Sequence, residues 1–246
     1  MFRMVKENKP LMLVFLSIVL GCCRSMSAII QVQAAAAVIG TVKIGDFVLS
    51  GENAGLIMGL GAPVGTAISS ALMPYFNNKW GEKKTFIVFA VYGFVVCTAS
   101  FLIYLAGVTS ILSVVICLFF VGFMYGPHSF LPLVMVPDCV DYYELKTGKR
   151  TDGIHFSVLS LANKLSAALG VAIGLAMIGF SRYSAGAAEY SVFTKNVIYG
   201  TYVWLPGISC ILSMIPIFWY KLTGDEKRRV ASELAMRHEE EASRVK

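Results

Sequence analysis

The amino-acid sequence predicts an all-α membrane protein with six transmembrane helices. Apolar residues make up 57% of the chain and charged residues only 15%, whereas about a quarter of the residues in a soluble domain are charged. The charges are also clustered, which leaves six tracts with the roughly 20 apolar residues that a membrane-crossing helix needs. These observations favour a single helical membrane unit over one or two soluble domains.

The six predicted spans cover about residues 10–31, 53–75, 85–105, 110–136, 154–180 and 197–220. The fourth and fifth are longer than a bilayer requires, so we expect them to tilt or to extend beyond it. The spans fall as three plus three around the short turn at 107–109, a division compatible with the inverted repeats of secondary carriers. We assign residues 1–220 to a transmembrane domain and 221–246 to a charged tail, for which we expect a solvated helix.

Basic residues in the short loops predict the orientation of the chain. The side that is rich in Lys and Arg faces the cytoplasm. We therefore expect a multi-pass protein of the plasma (inner) membrane with both termini in the cytoplasm and no cleavable signal peptide. The net charge of +6 does not indicate a nucleic-acid partner, because these residues lie in loops and in the tail. The richer side carries Arg3, Lys6, Lys9, Lys79, Lys83, Lys84, Lys146, Lys149, Arg150 and the basic residues from Lys221 onward, and the other side carries Lys43, Arg182 and Lys195.

Residue types that serve catalysis or metal binding are not grouped in this sequence. Six cysteines lie mostly inside apolar tracts and form no C-x-x-C pair, so we expect free thiols and no metal site. The nucleophile signature G-x-S-x-G and the zinc signature H-E-x-x-H are both absent. We predict neither enzymatic activity nor a cofactor.

Glycines and prolines inside the spans predict how the helices pack. Two G-x-x-x-G pairs allow helix backbones to approach each other closely. A proline removes a backbone hydrogen-bond donor, so we expect prolines to break the second and fourth spans. The glycine pairs are Gly55 with Gly59 and Gly170 with Gly174, and the breaks are expected at Pro63, Pro127 and Pro132.

Two charged side chains, Arg24 and Lys164, are predicted to lie well inside the first and fifth spans. Each costs about 2.5–3.5 kcal/mol at the bilayer centre, so such residues usually face a polar cavity or a partner charge. Ser157, Ser160 and Lys164 share one helix face, where hydroxyls and an ammonium group can bind sugar hydroxyls or a carboxylate. His128 is a further polar residue in the middle of a span. We predict that these five residues bind substrate; helix packing is the alternative interpretation for Arg24, His128 and the serines.

Acidic residues show the opposite pattern, since no Asp or Glu is predicted to lie deep inside a span. Transport of Na⁺ or H⁺ generally needs a carboxylate within the membrane core. The chain by itself therefore has no evident site for a coupling cation.

The segment between the fourth and fifth spans carries the most specific motif, PDCVDYYELKTGKRTDGIHFSVLSLANKLSAALG. Its Asp, Asp-Tyr, Glu and Lys-Thr-Gly-Lys-Arg elements, followed by a Ser-rich span with a lysine, resemble the glycoside–pentoside–hexuronide:cation symporters. These form a branch of the major facilitator superfamily that includes the melibiose carriers. The segments ENKPLMLVF, PYFNNKWGEKKTF and YKLTGDEKRRVASEL resemble the same family. The resemblance implies the C-terminal six-helix half of a twelve-helix carrier, that is, half of a major facilitator fold with two three-helix repeats.

The resemblance also implies roles for individual residues. In relatives the lysine that matches Lys164 faces the central cavity, and the preceding turn, here Leu159 and Ser160, contacts sugar. Ser129 stands where melibiose carriers have an aromatic residue, and Leu159 where they have a glutamine. We therefore expect a different glycoside, pentoside or hexuronide, and Lys164 with Arg24 would accommodate a uronate. The resemblance further implies a cytoplasmic gate that closes by ion pairs and contains Asp138, Asp141, Tyr142, Glu144, Lys146, Lys149 and Arg150.

Secondary-active symport of a sugar or glycoside with Na⁺ or H⁺ is the leading functional hypothesis. The resemblance implies that the coupling cation binds mainly in the missing N-terminal half. The expected partners are therefore the sugar, the lipid bilayer and either a complementary six-helix half or a second copy of the chain. The alternatives are a stand-alone six-helix homo-oligomeric carrier and an inactive truncated symporter fragment.

Overall fold

The computed structural model of the chain describes residues 7–44, 47–187 and 189–244. Their regular structure is helical apart from one short antiparallel hairpin. The helices are α1 Lys9–Leu20, α2 Ser27–Ala34, α3 Gly51–Trp80, α4 Glu82–Leu105, α5 Ile111–Thr147, α6 Asp152–Phe180, α7 Val192–Tyr199, α8 Leu205–Phe218 and α9 Asp225–Arg244, and the strands are β1 Val42–Ile44 and β2 Phe47–Leu49. A 3₁₀ segment, Cys22–Met26, joins α1 to α2, and π-helical turns occupy Ala35–Ile39 and Gly200–Trp204.

Six helical segments among the described residues are long and apolar enough to cross a membrane, which confirms the predicted fold class. The first continues to Ile39, beyond its predicted end, and the fourth extends to Thr147. The length of the fourth agrees with its predicted extension beyond the bilayer. From the first to the sixth, the spans are Lys9–Ile39, Asn53–Trp80, Glu82–Leu105, Ile111–Thr147, Asp152–Phe180 and Val192–Phe218.

Prolines do not interrupt the spans, so the predicted breaks at Pro63, Pro127 and Pro132 are wrong. Both α3 and α5 are continuous through these residues. A proline removes a single helical hydrogen bond, and neighbouring helices and polar side chains can compensate for this loss inside a bundle. The α-helical geometry instead changes in the first span, which turns to a 3₁₀ helix over Cys22–Met26.

Both G-x-x-x-G pairs pack against the first span, which confirms the predicted close approach of backbones. A β-carbon added at Gly170 of α6 would collide with the backbone oxygen of Cys22. One added at Gly59 of α3 would collide with the side chain of Gln31. The first span is therefore held between α3 and α6, with its 3₁₀ segment directly against α6.

The beginning of α1, the end of α5 and the tail helix α9 meet at one end of the bundle, which we call the charged end. There the buried Asn8 side chain donates a hydrogen bond to the backbone oxygen of Cys139 at 2.8 Å and lies 2.9 Å from Nε2 of His155. Lys83 at the start of α4 donates to the backbone oxygen of Tyr220 at 2.9 Å. The basic loops that these residues belong to thus share one end, and the side of the membrane that it faces stays a prediction.

The tail helix α9 is not solvated on all sides, contrary to the expectation from its charge pattern. Val230 and Leu234 lie one turn apart and are only 3% and 7% exposed. Val230 joins an apolar cluster with Tyr220 and Leu222. Two apolar side chains at this spacing form a stripe too narrow to stand out among charged residues, yet wide enough to dock the helix.

Candidate functional site

A polar cavity of about 400 Å³ lies between the first, fourth and fifth spans. Its walls come from the 3₁₀ segment of the first span, the middle of α5 and one face of α6. This volume lies within the range of about 300–1,000 Å³ that is usual for small-molecule sites. The cavity is lined by Ile18, Gly21, Arg24, Ser25, Tyr125, His128, Ser129, Pro132, Leu133, Leu159, Asn163 and Ser166.

Arg24 lies on the 3₁₀ segment and brings a positive charge to the cavity wall. Its guanidinium group folds back over Gly21, which has no side chain to obstruct it. Nη1 of Arg24 donates a hydrogen bond to Oγ of Ser213 at 3.4 Å, and no acidic side chain in the described ranges forms an ion pair with it. Because a guanidinium group has five N–H donors, most of them remain available to a ligand.

His128 contributes a hydrogen-bond acceptor to the same cavity. Its Nδ1 lies 2.8 Å from the backbone oxygen of Met124, a geometry that assigns the ring proton to Nδ1. Nε2 is then an acceptor, and it is buried without a hydrogen-bond partner among the residues that the structure describes. The imidazole ring is 3% exposed and packs 4.6 Å from the ring of Phe86. A buried acceptor without a partner costs about 1–3 kcal/mol, and a ligand hydroxyl in the cavity would remove that cost.

Four further polar residues of the cavity were not among the predicted substrate-binding residues: Ser25, Tyr125, Asn163 and Ser166. Asn163 and Ser166 lie on the face of α6 that also carries Gly170, at helical spacings of three and four residues. The Gly170 and Gly174 pair could therefore have indicated that Asn163 and Ser166 line the cavity, because it marks the face of α6 that approaches the first span.

Ser157, Ser160 and Lys164 share one face of α6 as their spacing predicts, but this face is exposed and does not line the cavity. Lys164 follows Asn163 and is therefore rotated about 100° from the cavity face. Its side chain makes no hydrogen bond or ion pair within the described part of the chain, and Oγ of Ser157 donates to the backbone oxygen of Gly153 at 2.7 Å. Their role in substrate binding stays a prediction.

Arg150 forms ion pairs with three carboxylates at the charged end. Its Nη1 lies 2.9 Å from Oε2 of Glu144 and 3.5 Å from Oδ1 of Asp141, and its Nε lies 2.9 Å from Oδ2 of Asp152. The hydrogen bond to Asp152 raises the pKa of Arg150 above its ordinary value. His238 of the tail helix lies 2.9 Å from the other oxygen of Glu144. Three of the predicted gate residues, Asp141, Glu144 and Arg150, are thus brought together.

Asp138 belongs to a second charged group that includes the tail helix. Nζ of Lys227 lies 2.7 Å from Oε1 of Glu82 and 2.7 Å from Oδ2 of Asp138. The two acidic side chains are only 9% and 12% exposed. Burial lowers the pKa of Lys227, but its contacts with Asp138 and Glu82 outweigh burial and raise the pKa above the ordinary value. Lys227 and Glu82 are 145 positions apart in the chain, and neither was a predicted gate residue.

The three remaining predicted gate residues lie at the charged end outside both groups. Tyr142 is half-buried and packs against the apolar cluster of that end. Nζ of Lys146 donates to the backbone oxygen of Glu7 at 3.2 Å. Lys149 is exposed, and its side chain has no ion pair in the described ranges. A gating role for these residues stays a prediction.

Possible metal ligands are scattered in the part of the chain that the structure describes, where no three His, Cys, Asp or Glu side chains form a metal-binding cluster. All six cysteines have free thiols. The sulfur atoms of Cys97 and Cys210 lie 3.8 and 3.6 Å from that of Met124. These three residues are buried in an apolar cluster, where soft sulfur atoms pack well.

Comparison with known proteins shows the family of this chain. The family described as "MFS/sugar transport protein" matches residues 1–224. The chain is 31% identical to the "Uncharacterized 29.9 kDa protein in crtE 3'region" of Pseudescherichia vulneris, over 65% of this chain and 57% of the relative. It is 27% identical to the "Glucuronide carrier protein homolog" of Escherichia coli (strain K12), over 70% of this chain and 36% of the relative. It is 34% identical to the "Isoprimeverose transporter" of Lactiplantibacillus pentosus, over 49% of this chain and 24% of the relative.

The matched residues include the six spans and the polar cavity, and they end just before the tail helix. The chain spans between 24% and 57% of the length of these curated relatives. The family match confirms the resemblance that the motif between the fourth and fifth spans indicated. The chain therefore belongs to the MFS/sugar transport protein family.

Proposed function

We propose that the chain forms one six-helix half of a secondary-active carrier that transports a sugar or glycoside together with Na⁺ or H⁺. The observation that carries this proposal is the polar cavity at the 3₁₀ segment, inside an otherwise apolar bundle. His128 Nε2 accepts a hydrogen bond from a sugar hydroxyl, and Arg24 donates to a hydroxyl or to the carboxylate of a uronate. The names of two relatives, which refer to a glucuronide and to isoprimeverose, support this substrate class.

The charged end acts in this proposal as the gate of an alternating-access cycle. Its ion pairs join α5 to α4, to the tail helix and to the residues just before α6. The cations Arg150 and Lys227 are 51% and 38% exposed, so solvent screens their ion pairs, and a set of such pairs can hold a closed state and still open during transport. The exposed stripe with Ser157, Ser160 and Lys164 forms the wall of the pathway that a second six-helix unit completes.

The coupling cation binds mainly in that second unit, because no carboxylate lies in the middle of a span among the described residues. The expected partner is a complementary N-terminal half or a second copy of this chain. We place the carrier in the plasma (inner) membrane with the charged end and both termini in the cytoplasm. It has neither a cofactor nor an enzymatic activity.

The test is sugar uptake into vesicles that contain this chain alone or together with an N-terminal half from the same family, with and without a Na⁺ or H⁺ gradient. Gradient-driven uptake only by the paired halves is expected. Arg24→Ala should abolish that uptake, whereas Arg182→Ala, a change in an exposed loop arginine, should leave it intact. Uptake by the chain alone would favour a homo-oligomeric carrier, and no uptake in either case would favour an inactive fragment.

A further inference from the structure

Three buried sulfur atoms meet where the third, fourth and sixth spans pack together. Sγ of Cys97 lies 3.8 Å, and Sγ of Cys210 lies 3.6 Å, from Sδ of Met124. Glycines on two of these helices permit the convergence. A β-carbon added at Gly93 would lie 2.7 Å from Sδ of Met124, and one added at Gly207 would lie 2.6 Å from Cβ of Cys97. Because the sulfurs come from three separate spans, no local pattern such as C-x-x-C could indicate them.

The spacing of these sulfur atoms matches that of a trigonal metal site. Both thiols donate to the same thioether. A metal ion about 2.3 Å from each of three sulfurs in one plane holds the sulfurs about 4 Å apart, which is close to the two distances found here. Thiolate and thioether ligands select Cu(I), whereas Zn²⁺ takes four ligands in a tetrahedron. The cluster therefore suits Cu(I) better than Zn²⁺.

Arg24 supplies the charge that a buried metal–thiolate group requires. Cu(I) with two thiolates carries one net negative charge, and a buried charge is costly unless it is paired. The Arg24 side chain interacts with the thiol of Cys210, and it has no carboxylate partner among the residues that the structure describes. The metal–thiolate group and the guanidinium group would together be neutral. The same cluster without a neighbouring cation would have to bury the negative charge unpaired.

Arg24 also connects the sulfur cluster to space that an ion can enter. Its side chain lines the polar cavity and a second cavity of about 540 Å³ beside it, and it contacts Cys210 from there. An ion in either cavity is therefore separated from the cluster by this one side chain, which must move aside for the ion to pass.

We infer that Cys97, Met124 and Cys210 form a binding site for the soft monovalent metal ion Cu(I), with Arg24 as its neutralising neighbour. As the two metal–thiolate bonds form, the two thiol protons leave to water, and no electron is transferred. The bound ion joins the third, fourth and sixth spans through metal–sulfur bonds. The site is independent of the proposed transport function, because its binding is measured without a sugar.

The test is titration of the full chain in lipid nanodiscs with Cu(I), supplied under argon as its bicinchoninate complex so that only tight sites take the metal. One ion per chain is expected to bind, and it should raise the midpoint of thermal unfolding. Cys97→Ser and Cys210→Ser should each abolish this binding. Cys117→Ser, two turns before Met124 in the same span, should keep it. Zn²⁺ should not compete at equal concentration.

Two further variants test the third ligand and the charge. X-ray absorption at the copper edge should show three sulfur atoms at about 2.3 Å in the wild-type chain and two in Met124→Leu. Arg24→Gln removes the neutralising charge and should weaken Cu(I) binding about 10–100-fold. Arg182→Gln changes an exposed loop arginine and should leave the affinity unchanged.

Three results would overturn the inference. The first is that the wild-type chain takes no Cu(I) from the competitor. The second is undiminished binding in both Cys97→Ser and Cys210→Ser, particularly if the double variant Cys22→Ser/Cys23→Ser loses it, because the ion would then bind at those adjacent thiols. The third is a copper spectrum that Met124→Leu does not change. Each of these results would leave the proposed transport function standing.

Discussion

Nζ of Lys227 lies 2.7 Å from Oδ2 of Asp138, so a residue of the tail helix neutralises a nearly buried carboxylate at the end of the fourth span. The same ammonium group contacts Glu82 at the beginning of α4. Without Lys227, these two carboxylates would share the site with no cation between them. Lys227 therefore holds the tail helix to two nearly buried carboxylates, in addition to the contact of His238 with Glu144 and the packing of Val230 and Leu234.

Replacing Lys227 with Met tests this dependence. Lys227→Met keeps the length of the side chain but leaves Glu82 and Asp138 unpaired, so α9 is expected to be held less tightly by the bundle, with Val230, Leu234 and His238 as its remaining contacts. Amide hydrogen exchange should rise across residues 225–244 and stay unchanged in α3. Arg228→Met is the control, because the Arg228 side chain is 85% exposed and its ion pair with Asp225 measures 4.0 Å. Equal protection of α9 in both variants would contradict the assignment.

Docking of the tail helix should also depend on pH in a defined direction. The pKa of Lys227 is raised in the folded protein, since its contacts with Asp138 and Glu82 outweigh the lowering effect of burial. A raised pKa contributes stability that is complete below the unfolded value of about 10.4 and is lost as the pH rises through the folded pKa. Hydrogen exchange of α9, corrected for its intrinsic pH dependence, should show constant protection from pH 7 to about 9 and weaker protection above about 10.5. Loss of protection already between pH 7 and 9 would argue against Lys227 as the anchor.

Replacing Lys164 with Ala should separate sugar binding from transport. Lys164 lies outside the polar cavity on an exposed face of α6, so Lys164→Ala should not change sugar binding to the chain alone. In an assembled carrier the same variant should abolish uptake while membrane insertion remains normal. Lys195→Ala, at the opposite end of the bundle, is the matched control. Unchanged uptake in Lys164→Ala would remove this residue from the transport pathway.

Two buried histidines should respond differently to replacement with Leu. In His128→Leu an unpaired buried acceptor is removed, so the thermal stability should stay the same or rise while sugar binding falls about tenfold or more. His155 is also buried, but its Nε2 lies 2.9 Å from Nδ2 of Asn8 and its Nδ1 lies 2.8 Å from the backbone oxygen of Thr151. His155→Leu should therefore lower the thermal stability. A large loss of stability in His128→Leu would indicate a packing role instead of a ligand contact.

The close approach of α6 to the first span should make Gly170 intolerant of a side chain. A β-carbon there would collide with the backbone oxygen of Cys22, so Gly170→Ala should lower the free energy of unfolding by about 1–3 kcal/mol. Gly179 of the same helix has open space around it. Gly179→Ala should be neutral or slightly stabilising, because Ala favours the helix. The two variants can be compared by thermal unfolding in detergent, where equal midpoints would argue against the contact.

The six spans and the family could be predicted because both depend on local features of the sequence. Each span is a tract of apolar residues. The length and charge of a tract can be read from its own residues, so predicting one span does not require knowing how it packs against the others. The glycine pairs are equally local, and they correctly marked where α3 and α6 are approached closely, although the sequence did not identify the first span as the partner. Arg24 was predicted to bind substrate because an intramembrane charge is costly wherever the helix packs, and it does line the cavity.

Which side chains meet was decided by the tertiary structure. Lys164 and Asn163 are neighbours in the sequence, yet the rotation of α6 places only Asn163 in the cavity. The prolines of α3 and α5 were expected to break their helices, but the tightly packed bundle keeps both continuous. Lys227 and Glu82 carry no local sign of their contact across 145 positions. Hydropathy and spacing thus determine how many helices cross the membrane, whereas the rotation and approach of those helices determine which polar atoms come within hydrogen-bonding distance.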